Sequence, residues 1–177
     1  MDSIFIGDSI MANYDELRHL NKINNLAVPG NKIIDLFPLI ITLKRSYPKK
    51  LFIHIGINDY LLKKGAFDIT MDTLLLDSYS LFLRIIAMAL PKTKVYVISL
   101  LPIKSLFGKD NDNIDSINSK LLEILQNYNI NFININPLFK DENGDLITAL
   151  TTDGIHLNKQ GYQVLHKSLE AYLEEVV

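Results

Sequence analysis

Ser3-Ile4-Phe5-Ile6-Gly7-Asp8-Ser9 is an apolar run that stops on a glycine, a carboxylate and a hydroxyl. Leu51-Phe52-Ile53-His54-Ile55-Gly56-Ile57-Asn58-Asp59 is a second largely apolar run, ending on a glycine followed by an amide and a carboxylate. A strand buried on both faces reads as a continuous apolar run, which is the pattern of a parallel sheet covered by helices on either side. Three more short runs fit, so strands are expected at residues 3–6, 24–27, 51–55, 94–99 and 132–135. Segments of helical spacing fill the gaps. Strands alternating with helices predict an α/β fold, here a five-stranded, doubly wound parallel sheet.

The helical segments carry their own punctuation. Residues 70–90 place Leu74, Leu81, Ile85 and Met88 on one stripe continued by Ser78, and Pro91 ends it. Residues 114–128 repeat the spacing through Ile117, Leu121, Leu125 and Tyr128. The last helix, 159–175, has Asn158 as its N-cap and is expected to bury Tyr162, Leu165, Leu169 and Tyr172. An earlier helix is expected over 33–47, with Pro38 kinking it or falling in its first turns. Residues 102–113, rich in Lys, Gly, Asp and Asn, read as a surface loop. With no repeat, low-complexity tract or linker, residues 1–177 are expected to form a single domain.

Composition narrows the classes of function. Hydrophobic residues make up 48% and charged residues 21%, a globular balance, and 18 basic against 20 acidic residues leave a net charge of −2. No basic stripe offers a phosphate footprint, so nucleic acid is not an expected partner. The chain has no cysteine, which removes disulfides, thiolate metal sites and a cysteine nucleophile. No apolar run reaches membrane-spanning length; the longest, 81–90, contains Arg84. Met1-Asp2-Ser3 enters a strand pattern directly, without a basic and apolar leader, so a cytoplasmic location is expected. Nothing in the sequence speaks to oligomeric state.

Four short segments carry the chemistry: Gly7-Asp8-Ser9, Asn25 through Gly30, Gly56-Ile57-Asn58-Asp59 and Asp153-Gly154-Ile155-His156. Each follows a predicted strand, and a doubly wound sheet places ligands beyond the carboxyl ends of its strands. Ser9 sits on a strand-to-helix turn that exposes its hydroxyl, with Gly7 permitting the tight backbone. A serine needs a base, and His156 is the best placed of the four histidines, with Asp153 close enough to orient its other ring nitrogen. His19 falls in a polar helical tail and His166 on the last helix, and His54, inside an apolar strand, reads as a hydrogen-bonded core histidine. The charge that develops on a carbonyl oxygen needs donors, and the backbone N–H groups of Ser9 and Gly30 and the Asn58 side-chain amide can supply three. Asp59 is assigned to turn structure and Asp8 to holding the loop around the nucleophile. No second cluster of ligands accompanies Asp153 and His156, so no metal is expected.

These residues resemble the GDSL esterases and lipases, also called SGNH hydrolases. Gly7-Asp8-Ser9-Ile10 is similar to the family's first block with isoleucine for leucine, and Asn25-Leu26-Ala27-Val28-Pro29-Gly30 to the second, with alanine where a small residue is usual. Gly56-Ile57-Asn58-Asp59 and Asp153-Gly154-Ile155-His156 match the third and fifth blocks, so the four letters of SGNH fall on Ser9, Gly30, Asn58 and His156. The resemblance runs from Ile4 to Tyr162. It implies a three-layer α/β/α sandwich of flavodoxin-like topology, no metal and no organic cofactor. It also implies hydrolysis of an ester or thioester through an acyl-serine; the small size of the chain suggests an open site, a small-molecule acyl ester and short acyl chains. Two other readings remain open: acyl transfer to an alcohol such as a sugar hydroxyl, or deacetylation of a carbohydrate, by the same residues, and a non-catalytic flavodoxin-like binding module. Leu61, Leu62, Phe67, Leu106 and Phe107, in loops expected at 60–67 and 101–113, either line an apolar acyl site or pack those loops.

Overall fold

A computed structural model describes residues 2–63, 70–104 and 110–174 of the chain. Five strands, β1 (Ser3–Gly7), β2 (Ile23–Asn25), β3 (Lys50–His54), β4 (Lys94–Ile98) and β5 (Asn131–Ile133), form one sheet in the order β2-β1-β3-β4-β5. Every pairing is parallel, as the unbroken apolar runs require. The chain winds outward in both directions from β1 and β3, and that pair is the topological switch point at which such sheets bind ligands.

Alternate strand residues face opposite layers. Ile4, Ile6, Leu51, Ile53, Val95 and Val97 pack under α2 (Leu39–Ser46), α3 (Ile57–Lys63), α4 (Thr70–Ala89) and α5 (Asp110–Gln126). Phe5, Phe52, Tyr96 and Ile98 pack on the other side, under α1 (Ser9–Ala12) and α6 (Lys159–Glu174). Register places Phe5 beside Phe52 and Phe52 beside Tyr96, and the three rings stack across the strands at 4.4 and 4.8 Å between centroids. The result is the expected three-layer α/β/α sandwich.

Four local expectations are corrected. The helix expected over 33–47 is broken: a 3-10 turn covers Ile33–Leu36 and α2 begins only at Leu39, because Pro38 has no N–H to continue the ladder. In α4 the expected stripe faces outward, with Leu74 60%, Leu81 44% and Met88 76% exposed, while Leu75, Tyr79, Phe82, Leu83 and Ile86 are buried. That helix is apolar around most of its circumference, so spacing alone does not choose a face; Tyr79 and Phe82, with more area to bury, set the rotation. α5 starts at Asp110, inside the segment read as loop, because its polar first residues have buried partners. The Asp110 carboxylate accepts from the Tyr60 hydroxyl at 2.9 Å, and the Asn111 side chain pairs with both backbone groups of Ile103 at 2.9 and 2.8 Å. Finally, residues 60–63 of the loop expected at 60–67 are helical, its remainder lying outside the described residues, and α3 begins at Ile57, which puts Asn58 and Asp59 in its first turn.

Candidate active site

The end of β1 is built by crowding. A Cβ on Gly7 would lie 2.0 Å from the His54 carbonyl oxygen, so only glycine lets β1 run this close to β3. Asp8 then caps α1, its Oδ1 accepting from the Ile10 N–H at 3.0 Å. The same oxygen lies 3.4 Å from Nδ1 of His54, and both side chains are buried, so His54 is the hydrogen-bonded core histidine expected of it. Ser9 is the first residue of α1 and is itself largely buried. The Tyr162 hydroxyl, on α6, donates to the Ile10 carbonyl at 3.0 Å and ties the two helices of that layer together.

His156 arrives from a turn closed by a bridge between Thr151 and Leu157. Within it the Thr151 hydroxyl and the Thr152 N–H donate to the His156 carbonyl at 2.7 and 3.0 Å. Oδ1 of Asp153 accepts from the N–H groups of Ile155 and His156 at 3.0 and 2.8 Å, leaving Oδ2 to face Nδ1 of the His156 ring at 2.7 Å. On its other side, Nε2 of His156 lies 3.0 Å from Oγ of Ser9, across 147 residues of sequence. The hydrogen bond from the His156 ring, then that from its backbone N–H, holds the Asp153 carboxyl down at about 2. His156 and Asp153 side chains are 40% and 52% exposed, so the imidazole end of this line opens to solvent. Asn158 caps α6 as expected, its Oδ1 accepting from the Gly161 N–H at 3.0 Å.

Gly30 lies in the turn Val28-Pro29-Gly30-Asn31, closed by the Asn31 N–H on the Val28 carbonyl at 3.2 Å. Its φ of +82° suits the third position of a type II turn, and nothing lies within 4 Å of where a Cβ would stand, so the backbone angle rather than crowding calls for glycine. Two bonds to the Gly7 carbonyl, from the Val28 N–H at 3.1 Å and the Asn31 amide at 3.3 Å, draw this turn to the end of β1. The Asn58 amide donates to the Asn31 carbonyl at 2.9 Å, which occupies one of its two N–H bonds. Asp59, assigned from sequence to turn structure, instead reaches across to the Ile33 N–H, with Oδ2 at 3.2 Å and Oδ1 at 3.4 Å. Burial raises its pKa above the ordinary carboxylate value. The second and third segments are thus joined to one another and to the first.

Sequence reading assigned no part to Asn25, whose Oδ1 accepts from the Ala27 N–H at 3.1 Å and whose amide donates to the Met11 carbonyl at 2.7 Å. This side-chain turn ends β2 at Asn25, short of the expected 27, and an asparagine closing a strand is the signal that could have found it. A shallow hollow of only about 10 Å³ is lined by Ile10, Ile57, Leu101, Ile103 and Ile155, with His54 at its wall; Ile10 and Ile155 are the sequence neighbours of Ser9 and His156. Leu61 packs against the core and Leu62 is 64% exposed, whereas Phe67, Leu106 and Phe107 lie outside the described residues. His166 meets the Tyr14 hydroxyl at 2.7 Å, and His19, itself exposed, ends a 3-10 turn. Among the described residues no group of three or more His, Cys, Asp or Glu is placed to hold a metal ion, and no helix is long and apolar enough to cross a membrane.

Known proteins resemble this chain in sequence and in fold. The chain is 28% identical, over 176 residues and 95% of its length, to the N-acylneuraminate cytidylyltransferase of Escherichia coli, of which it spans 39%. It is 29% identical over 68 residues, 38% of its length, to the isoamyl acetate-hydrolyzing esterase of Saccharomyces cerevisiae, spanning 29% of that protein. The fold matches a GDSL-like lipase of Bacteroides thetaiotaomicron with a TM-score of 0.81 at 19% identity, covering 98% of this chain and 87% of that one. The model of the GDSL-like lipase/acylhydrolase family matches residues 5–164, nearly the whole chain, and the chain belongs to that family.

Proposed function

We propose that this domain is a serine esterase that hydrolyses small carboxylic esters of short acyl chains through an acyl-serine intermediate. The observation that carries the reading is His156 standing between Oγ of Ser9 at 3.0 Å and Oδ2 of Asp153 at 2.7 Å. In this mechanism Asp153 fixes the tautomer with the proton on Nδ1, so that Nε2 is free to take the Ser9 proton as Oγ attacks the carbonyl carbon. The tetrahedral oxyanion accepts from the Ser9 N–H, the Gly30 N–H and the second N–H of the Asn58 amide. The imidazolium returns its proton to the leaving alkoxide, and His156 then activates water to release the acid. Each oxyanion donor is worth about 2.7–4 kcal/mol in enzymes of this kind.

Two features favour hydrolysis of small esters over transfer of long acyl groups. The half-exposed imidazole gives water a direct approach. The hollow lined by Ile10 and Ile155 holds only about 10 Å³, far below the roughly 300–1,000 Å³ of pockets that enclose drug-sized ligands. The name of the yeast relative, an acetate-ester hydrolase, agrees with a small acyl group. Hydrolysis of p-nitrophenyl acetate tests the reading. Ser9→Ala is expected to lower turnover by at least about 10³-fold, and a wild-type series from acetate to octanoate is expected to fall in kcat/KM with chain length. Undiminished turnover by Ser9→Ala refutes the assignment, and a preference for octanoate refutes the small acyl site.

A further inference from the structure

Gly30 offers its N–H from an exposed turn with no side chain to anchor it, yet an oxyanion donor must be held to within about 0.5 Å to be effective. The N–H in question belongs to the central peptide of a type II turn, between Pro29 and Gly30, so its direction follows from where the two ends of the turn are fixed. The leading end is held by the Val28 N–H on the Gly7 carbonyl. The trailing end is held by the Asn31 amide on the Gly7 carbonyl and, from α3, by the Asn58 amide on the Asn31 carbonyl and, two residues beyond the turn, by the Asp59 carboxylate on the Ile33 N–H.

We propose that Asp59 is a positioning residue for oxyanion stabilisation: with Asn58 it clamps the trailing end of the 28–31 turn to α3, so that the Gly30 N–H and the Asn58 amide are held as one unit. The inference rests on the reading of Gly30 and Asn58 as oxyanion donors. An acidic residue in the first turn of a helix commonly does no more than face water near the positive end of the helix dipole. Asp59 does something else. Both its oxygens lie near a single N–H of another segment, in surroundings whose burial disfavours its charge. The clamp also gives Asn58 two tasks, one N–H on the Asn31 carbonyl and the other on the substrate, and this links the donors mechanically.

Kinetics on p-nitrophenyl acetate with Asp59→Ala, Asp59→Asn, Asn58→Ala and the Asn58→Ala/Asp59→Ala double variant test the clamp, each variant first checked for folding by circular dichroism. Asp59→Ala is expected to lower kcat roughly 10-fold with KM within about twofold, because the donors it loosens engage only the transition state. Asp59→Asn keeps an oxygen for the Ile33 N–H and is expected to stay within about threefold of wild type. The double variant is expected to lose less, by about threefold or more, than the product of the single losses, since both substitutions release the same turn. Should Asp59→Ala not fold, Asp59→Ser, too short to reach Ile33, replaces it. Wild-type kcat in Asp59→Ala, equal damage from Asp59→Asn, or strictly multiplicative losses overturns the proposal. Undiminished kcat in Asn58→Ala is a different failure, because it removes the donor reading on which the clamp rests.

Discussion

Asp153 is half exposed, yet three N–H groups converge on it: the ring and backbone N–H of His156 and the backbone N–H of Ile155. Its carboxyl is therefore held at about 2 against an ordinary 3.8. A depressed carboxylate contributes stability in full above its unfolded value and loses it as pH falls through the folded one, here between about 4 and 2. Solvent screening keeps that contribution small. In the proposed mechanism the consequence is larger, because Asp153 is an anion at every pH at which an ester assay is practical. Asp153→Asn removes the charge and can present the wrong tautomer of His156 to Ser9, an exchange that costs about 10⁴ in kcat where the aspartate is buried. With Asp153 open to water, a loss on the order of 10²-fold is expected, with little change in KM. Wild-type kcat for Asp153→Asn at pH 8 contradicts the triad.

At the scale of elements, α4 is where sequence spacing and structure part. Its outward stripe of Leu74, Leu81 and Met88 has the same periodicity as its inward one of Leu75, Tyr79, Phe82 and Ile86. Phe82 meets Phe37, which caps the 3-10 turn just ahead of Pro38, at 5.4 Å between ring centroids. Phe82→Ala is expected to cost about 3–5 kcal/mol. Met88→Gln, on the same helix, is expected to change stability by no more than about 0.5 kcal/mol. Urea midpoints of the two variants decide which face is buried, and a comparable loss from Met88→Gln reverses the assignment. The strands were legible because burial on both faces removes ambiguity: Ile4 to Ile6 and Leu51 to Ile53 have no polar side to confuse. The convergence of Ser9, His156 and Asp153 was legible because each stands near a glycine-marked turn after a strand or ahead of a helix. What stayed hidden depends on distant partners. Asp59 looks like a turn residue until Ile33 is beside it, Asp110 looks like loop until Tyr60 reaches it, and Asn25 looks neutral until Met11 supplies a carbonyl.

Across the whole molecule, both hydrophobic layers share one sheet, since neighbouring residues such as Ile4 and Phe5, or Leu51 and Phe52, belong to opposite cores. Neither layer can melt while the other keeps the strands in register. The site has no local route to assembly either: Ser9 and His156, 147 residues apart, meet only when α6 lies against the sheet beside α1. Several bonds hold α6 there, including Tyr162 on Ile10 and Lys50, whose Nζ donates to the carbonyls of Tyr172 and Leu173 at 2.8 and 3.2 Å from the opposite end of the sheet. Unfolding in urea is therefore expected to be two-state, with a slope of about 1–3 kcal/mol/M. Far-UV circular dichroism reports the helices, near-UV circular dichroism the stacked rings, and fluorophosphonate labelling of Ser9 the site. All three are expected to give one midpoint. Labelling lost at distinctly lower urea than the helical signal would mean that the segment carrying His156 leaves the sheet first, and that the two halves of the site are joined less tightly than the bonds from α6 to α1 and β3 imply.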